Sequence, residues 1–375
     1  MNTAERPLRY LVSPAGIPNY GDELIAMTWL RYLREVAPDD DVVVDCHRPG
    51  AAARRMAQLH PRVRFTNTLW ELCTRGWSRQ ASRTCEAVAA AVRDPSGTGE
   101  LAAGIEELRR AGRVHLVGGG FINAIWPPFV GLLAGIVEAC AHSGGLAAMT
   151  GQGLWPPAQH AEALTRSLVE RFDVVDLRDA RSAEFAGTGA AGHSCDDVFL
   201  GFGPHLLDGG DDVPEAMISV QSFLTGAEPD ELVGSVADTL RSWGAERVGL
   251  LECAPDQDRK VLELLERTFP SARRYSLEEV LTRGLPVRPD QCWISTRFHP
   301  HLVAAAGGAS GIAVDIRPDY YGTKHRSLIE GGSSWRLLEA LEMPGRPAGG
   351  GYGDQRLRAL RDAKRAVADR VHARR

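Results

Sequence analysis

The chain has 375 residues, 44% of them hydrophobic and 24% charged, with a formal net charge of −5. That length suits two ordinary domains, the composition excludes a disordered or membrane-embedded chain, and the acidic balance argues against a general nucleic-acid binder. No uninterrupted apolar run reaches the ~20 residues that cross a bilayer, and the N-terminus, with Glu5, Arg6 and Arg9, lacks a signal-peptide pattern, so a cytoplasmic protein is expected. Seven cysteines, at 46, 73, 85, 140, 195, 253 and 292, contain no Cys-X-X-Cys pair; reduced thiols and no structural metal are the expectation.

Short apolar runs alternate with helical patterns through the first half, the signature of a parallel sheet covered by helices. Leu8 to Val12 reads as the first strand. Ile25, Trp29, Tyr32, Leu33 and Val36 recur at helical spacing from about Asp22, and Val42 to Val44 is the next strand. Val63 to Phe65, Val114 to Val117, Leu146 to Thr150 and Val174 to Leu177 follow as strands. Residues 67–110 are mostly helical, with further helices around 130–140 and 158–170. A Gly/Asp-rich stretch, Gly201 to Pro214, has linker composition, and the expected domains are 1–205 and 206–375, the second carrying a terminal helix.

The same grammar repeats beyond it. Met217 to Val220 and Val248 to Leu251 read as strands around a helix at 230–243. Asp256 to Thr268 is helical, and a short helix at Ser276 to Leu281 is capped by Ser276 with Glu279 three residues on. Cys292 to Ser295 and Ile312 to Asp315 are strands, Ser334 to Leu341 is predicted helical, and Leu357, Leu360, Ala363, Val367 and Val371 line one face of the terminal helix. The layout predicts an α/β fold of two Rossmann-like domains, GT-B-like, with ligands at the strand ends.

The candidate chemistry sits at those strand ends. Arg297, Phe298 and His299 fall where a strand becomes a helix, with Pro300 in its first turn. A helix start, an Arg that grips two oxygens and a His that carries a proton suit a phosphate or carboxylate; the alternative is a surface Arg and a satisfied His. Asn19, Gly21 and Asp22 lie between the first strand and helix, and Asp22 either caps that helix or takes a proton from a hydroxyl. Gly118, Gly119 and Gly120, like Gly151, Gln152 and Gly153, allow backbone to approach a ligand or merely turn the chain, and no G-X-G-X-X-G fingerprint for NAD accompanies them. Arg178 faces a ligand or forms an ion pair, beside Asp179 as a helix cap. Asp196 and Asp197 form a metal pair or, the favoured reading, are loop acids; Asp39 to Asp41 resembles the acidic triplet of metal-dependent transferases, but its place before a strand favours a solvated turn, and His301 and His325 read as structural or exposed. Lys324, in a loop after a strand, is a further candidate cation. Trp77, Trp126 and Trp155 either stack on sugar rings or pack.

In their order, Asn19-Tyr20-Gly21-Asp22-Glu23, Gly118-Gly119-Gly120, Gly151-Gln152-Gly153 with Pro156, Arg178-Asp179 with Ser182, Asp196 with Phe199, Arg297-Phe298-His299 and Lys324 resemble the polysaccharide pyruvyl transferase family over residues 12–330. The chain departs from the family's common pattern at Trp155, Asp197 and Phe298. The resemblance implies transfer of pyruvate from phosphoenolpyruvate to a sugar as a cyclic ketal, with no cofactor beyond phosphoenolpyruvate as co-substrate and no metal. It implies Arg178, Arg297 and Lys324 as donor cations, His299 as acid and Asp22 as base. Asn19, Gly21, Gly119, Gly120 and Gln152 would frame a sugar or lipid-linked glycan acceptor. A GT-B glycosyltransferase using a nucleotide sugar and a non-catalytic sugar-binding protein are the alternatives, and the basic terminal helix leaves contact with the inner membrane face open.

Overall fold

The computed structural model describes residues 6–75, 78, 80–210, 212–221, 228–339 and 343–373; Trp77 and Leu341 lie outside the described residues. Two compact units emerge. The first takes its described residues from Met1–Ile17, Asp22–Gly201 and Leu360–Arg375, and the second from Pro18–Gly21 and Phe202–Ala359.

The first unit runs β1 (Leu8–Val12), α1 (Tyr20–Val36, from Asp22 on), β2 (Asp41–Asp45), α2 (Pro49–Met56), β3 (Val63–Thr66), α3 (Leu69–Thr74), α4 (Ala81–Arg93) and α5 (Ala102–Arg109). It continues through β4 (Arg113–Leu116), α6 (Val130–Ser143), β5 (Leu146–Gln152), α7 (Glu162–Val169), β6 (Val174–Leu177) and α8 (Ala180–Ala186). Its six strands are parallel in the order β3-β2-β1-β4-β5-β6, the doubly wound order whose switch point lies between β1 and β4. Helix α6 is apolar on nearly every side because it is buried among α3, α4 and the sheet. Gly135 admits that approach: a Cβ there would come within 2.6 Å of Leu69 and 2.9 Å of Val88.

The second unit repeats the topology. Its elements are β7 (Ala216–Ser219), α9 (Pro229–Ser242), β8 (Val248–Leu251), α10 (Pro255–Thr268), β9 (Arg273–Tyr275), α11 (Leu277–Arg283), β10 (Cys292–Ser295), α12 (Phe298–Ala306), β11 (Ser310–Val314), α13 (Thr323–Glu330), β12 (Arg336–Leu338) and the start of α14 (Asp354–His372). The parallel order is β12-β11-β10-β7-β8-β9, which places the equivalent switch point between β7 and β10. Ser276 caps α11 by accepting the Glu279 N–H at 3.2 Å, as its spacing predicts.

Two readings change here. The stretch predicted helical from Ser334 contains strand β12 instead, because Ile312, Ala313 and Val314 of β11 offer an open edge that Arg336, Leu337 and Leu338 pair with in parallel register. Lys324 lies on helix α13 rather than in a loop, after one π-helical turn at Pro318–Gly322. All seven cysteines are buried thiols, and burial pushes Cys195 and Cys253 up to about 12.

Buried histidines make stability depend on pH. Burial is the main reason that His115 and His325 are pushed down to about 4, and it likewise holds His372 and His301 well below the ordinary imidazole value. Between pH 6.5 and 4 the unfolded chain therefore binds protons that the folded chain refuses, and folding weakens as pH falls. Chemical denaturation at pH 7, 6, 5 and 4.5 should show this fall, with a shallower slope in His115→Gln.

Candidate functional site

In the second unit the predicted motif takes the position its sequence implies. Ser295 ends β10 opposite Ser219 of β7, so Thr296 and Arg297 leave the sheet at the switch point. The Ser295 hydroxyl accepts the Arg297 N–H at 3.0 Å and sets the turn, and Arg297 is the residue that precedes α12. The Arg297 side chain is buried, 9% exposed, and its guanidinium pairs with Asp258 on α10. Burial is the largest single effect and works against the charge, but the neighbouring Asp258, Cys253 and Tyr321 together outweigh it and raise the Arg297 pKa. Asp258 is itself anchored, accepting the N–H groups of Cys253 at 2.9 Å and Ala254 at 2.8 Å. A carboxylate fixed by two amides at a helix start is a rigid partner. Asp258 thus belongs to the site, although its sequence position gave only the expectation of a helix.

His299 follows on α12, half-buried, edge-on to Phe298 with ring centroids 5.0 Å apart. Its imidazole lies against Gly21: any Cβ at that residue would overlap the ring's Nδ1, Cε1 and Cγ atoms. The segment carrying Gly21 is held by the Tyr20 N–H, which donates to the Cys253 carbonyl at 2.8 Å, and by Asn19, whose side chain accepts the Gly21 N–H at 3.1 Å. Asn19, Gly21, Arg297, His299 and Lys324 all lie in the second unit. Lys324 holds its ammonium over the Tyr320 ring, 3.5 Å from the centroid, and 5.2 Å from that of Tyr321. Tyr321 feels the Arg297 charge, which partly offsets the rise that burial gives its phenol. Beneath them His301 and His325 are structural: their Nδ1 atoms meet at 3.0 Å, and His301 stacks on Trp335.

The first unit gathers Gly119, Gly120, Gln152 and Arg178 at the ends of β4, β5 and β6. Gly119 bridges to Gln152, the Gly153 N–H donates to the Gly119 carbonyl at 2.8 Å, and the Arg178 N–H donates to the Gln152 carbonyl at 3.0 Å. The Gln152 amide donates to the Val117 carbonyl. Arg178 is buried and pairs with Asp196 at 3.4 Å, and Asp179 caps α8 through the Ser182 N–H at 2.8 Å. Asp22, half-buried, sits in the first turn of α1. Trp126 packs against the core, and Trp155 carries the Arg181 guanidinium 5.3 Å from its ring centroid.

Asp197 corrects the reading of loop acids. It is fully buried, and its Oδ2 accepts from the Trp29 indole at 2.7 Å, the Gly118 N–H at 2.8 Å and the Thr150 hydroxyl at 2.7 Å. A Cβ at Gly118 would meet that carboxylate at 3.0 Å, and one at Gly151 would meet it at 2.6 Å. These two glycines therefore admit Asp197. Their form in the sequence is the same as that of glycines admitting a ligand, which is why spacing did not separate the two. Among the described residues no group of three His, Cys, Asp or Glu side chains is placed to hold a metal ion, and no helix is long and apolar enough to cross a membrane.

Two six-stranded parallel sheets of doubly wound order with helix α14 define a GT-B-like fold. Solved structures share it. The chain superposes on the UDP-N-acetylglucosamine 2-epimerase from Neisseria meningitidis bound to UDP-GlcNAc at TM-score 0.51 and 9% identity, covering 97% of this chain and 94% of that one. It matches S. aureus MnaA, in a structure with UDP, at TM-score 0.52 and 10% identity, over 97% and 88% of the two chains. Anabaena HepE with UDP-glucose gives TM-score 0.50 and 11% identity, over 98% and 95%. At these identities the likeness concerns the fold alone. Among curated proteins, none matches the sequence. The family model for polysaccharide pyruvyl transferase matches residues 19–318, and the chain belongs to that family.

Two substitutions test the second-unit geometry. Gly21→Ala should displace the His299 ring and reduce turnover by an order of magnitude or more with little change in melting temperature, as read by activity assay and calorimetry. Asp258→Asn keeps the shape but removes the charge facing Arg297, and loss of one member of a buried pair costs about 3–5 kcal/mol. Denaturant unfolding should register a destabilisation of that order.

Proposed function

We propose that the protein transfers the pyruvyl group of phosphoenolpyruvate to a sugar of a polysaccharide or glycolipid, closing a cyclic ketal across two hydroxyls. The observation that supports this most is the setting of Arg297 and His299 in a member of this family: the cation is held by Asp258 at the switch point, and the imidazole lies on Gly21 two residues away. Phosphoenolpyruvate carries a carboxylate and a phosphate on one small frame, so its recognition needs cations in fixed places. In this reading Arg297 and Lys324 of the second unit and Arg178 of the first serve the donor. Asn19, Gly21, Gly119, Gly120 and Gln152 serve the acceptor.

The chemistry balances without a redox partner. His299 as imidazolium protonates the methylene carbon, which becomes the methyl group, and positive charge develops at C2. One sugar hydroxyl attacks C2 and yields its proton to Asp22. The C2–O bond to phosphate breaks and inorganic phosphate leaves, after which the second hydroxyl attacks, giving its proton back to the now neutral His299, and the ketal closes. Fixed charges next to C2 stabilise the transition state more than the ground state.

The test is incubation of the purified protein with phosphoenolpyruvate and a panel of free and lipid-linked glycans, with phosphate release and product mass as readouts. Saturable binding of UDP-sugars with none of phosphoenolpyruvate would overturn the proposal in favour of a glycosyltransferase. Arg297→Ala should abolish phosphoenolpyruvate binding in calorimetry, while His299→Ala should retain binding and lower kcat by roughly 10²–10⁴-fold, the usual contribution of a general acid. Wild-type activity in both variants would remove these roles.

A further inference from the structure

Helix α14 brings Lys364 into the first unit, where the side chain is 0% exposed. Its ammonium pairs with Asp176 at the end of β6 and with Asp197 Oδ1 at 3.1 Å. Asp176 accepts the Gly151 N–H at 3.1 Å, and Asp197 accepts the Gly118 N–H. One buried cation thus ties together two carboxylates, and each carboxylate holds the backbone of a different glycine-lined strand end.

The same helix reaches this point by a second route. Arg9 has no acceptor to offer, so its contact at 3.1 Å makes His372 Nδ1 the acceptor and leaves the proton on Nε2. That N–H donates to His115 Nδ1 at 3.0 Å, His115 Nε2 donates to Thr150 at 2.8 Å, and the Thr150 hydroxyl donates to Asp197. Every member of this chain donates to the next and ends on the Asp197 carboxylate. A buried polar network with one donor sense throughout favours one arrangement of its surroundings. Family resemblance between residues 19 and 318 stops short of both Lys364 and His372.

We propose that Lys364 and Asp197 are positioning residues: Asp197 directly, and Lys364 through Asp197 and Asp176, hold the Gly118–Gly120 and Gly151–Gly153 strand ends in the geometry that receives the sugar acceptor. The inference rests on the reading of those strand ends as the acceptor side. Lys364→Met keeps the apolar stem and removes the ammonium. Asp197→Asn keeps the shape while leaving Lys364 paired with Asp176, and stands in should the first variant fail to fold. Arg365→Ala, which removes the exposed pair between α14 and Glu35, is the control for loosening the helix itself.

Hydrogen exchange by mass spectrometry should show at least about tenfold faster exchange in peptides covering 117–120 and 150–153 for Lys364→Met and Asp197→Asn, and none for Arg365→Ala. With the glycan labelled in the mass-spectrometric screen, KM for that glycan should rise about tenfold while KM for phosphoenolpyruvate and kcat stay near wild type. Unchanged exchange at the strand ends, exchange raised evenly across the first unit, or local exchange with unaltered glycan KM would each overturn the proposal. Should the wild-type protein bind no phosphoenolpyruvate, the functional reading falls, and the exchange comparison still decides whether Lys364 fixes the strand ends.

Discussion

Parallel pairing is the constraint on which both units depend. Strands covered on both faces must be apolar along their length, so polar side chains collect where the chain leaves the sheet. In the order seen here, loops depart in opposite directions from β1 and β4, and again from β7 and β10, which opens a crevice at each switch point. Thr296 and Arg297 occupy one such point, and Gly118 to Gly120 follow β4 at the other. The site residues are therefore products of topology as much as of local motif.

Charge neutralisation is the second theme. The arginines that sequence singles out as anion-binding each stand beside a buried carboxylate, Arg297 with Asp258 and Arg178 with Asp196. Burying an unpaired guanidinium would be prohibitive, and a pair held by backbone amides fixes the orientation of the remaining donors. The partner of Arg297 lies 39 residues away in sequence, on the helix after a different strand. Nothing local marks it. Lys364 is the extreme case, a fully buried lysine retained as a cation because two carboxylates outweigh the penalty of burial.

Much of the fold was legible in advance because its signal is periodic. Strands β1, β4, β5, β6, β8 and β10 appear as apolar runs, and α1 and α14 as apolar stripes at helical spacing. Where the period is short or mixed, reading failed: β12 has three residues, and its strand state comes from pairing with β11. Lys324 was seen as a candidate, but its helix and its seat on Tyr320 were not, since a single π-helical turn leaves no sequence period.

The sequence by itself determined the class of fold, the order of the strand-end motifs and the family they belong to, because each depends on residues close together in the chain. Tertiary structure decided what the glycines and acids are for. Gly21 makes room for an imidazole, Gly118 and Gly151 make room for the Asp197 carboxylate, and a lysine from the last helix completes that charge cluster. A missing Cβ and a lone acid look alike in sequence whatever they face; only the packing of distant segments supplies the atom that fills the space.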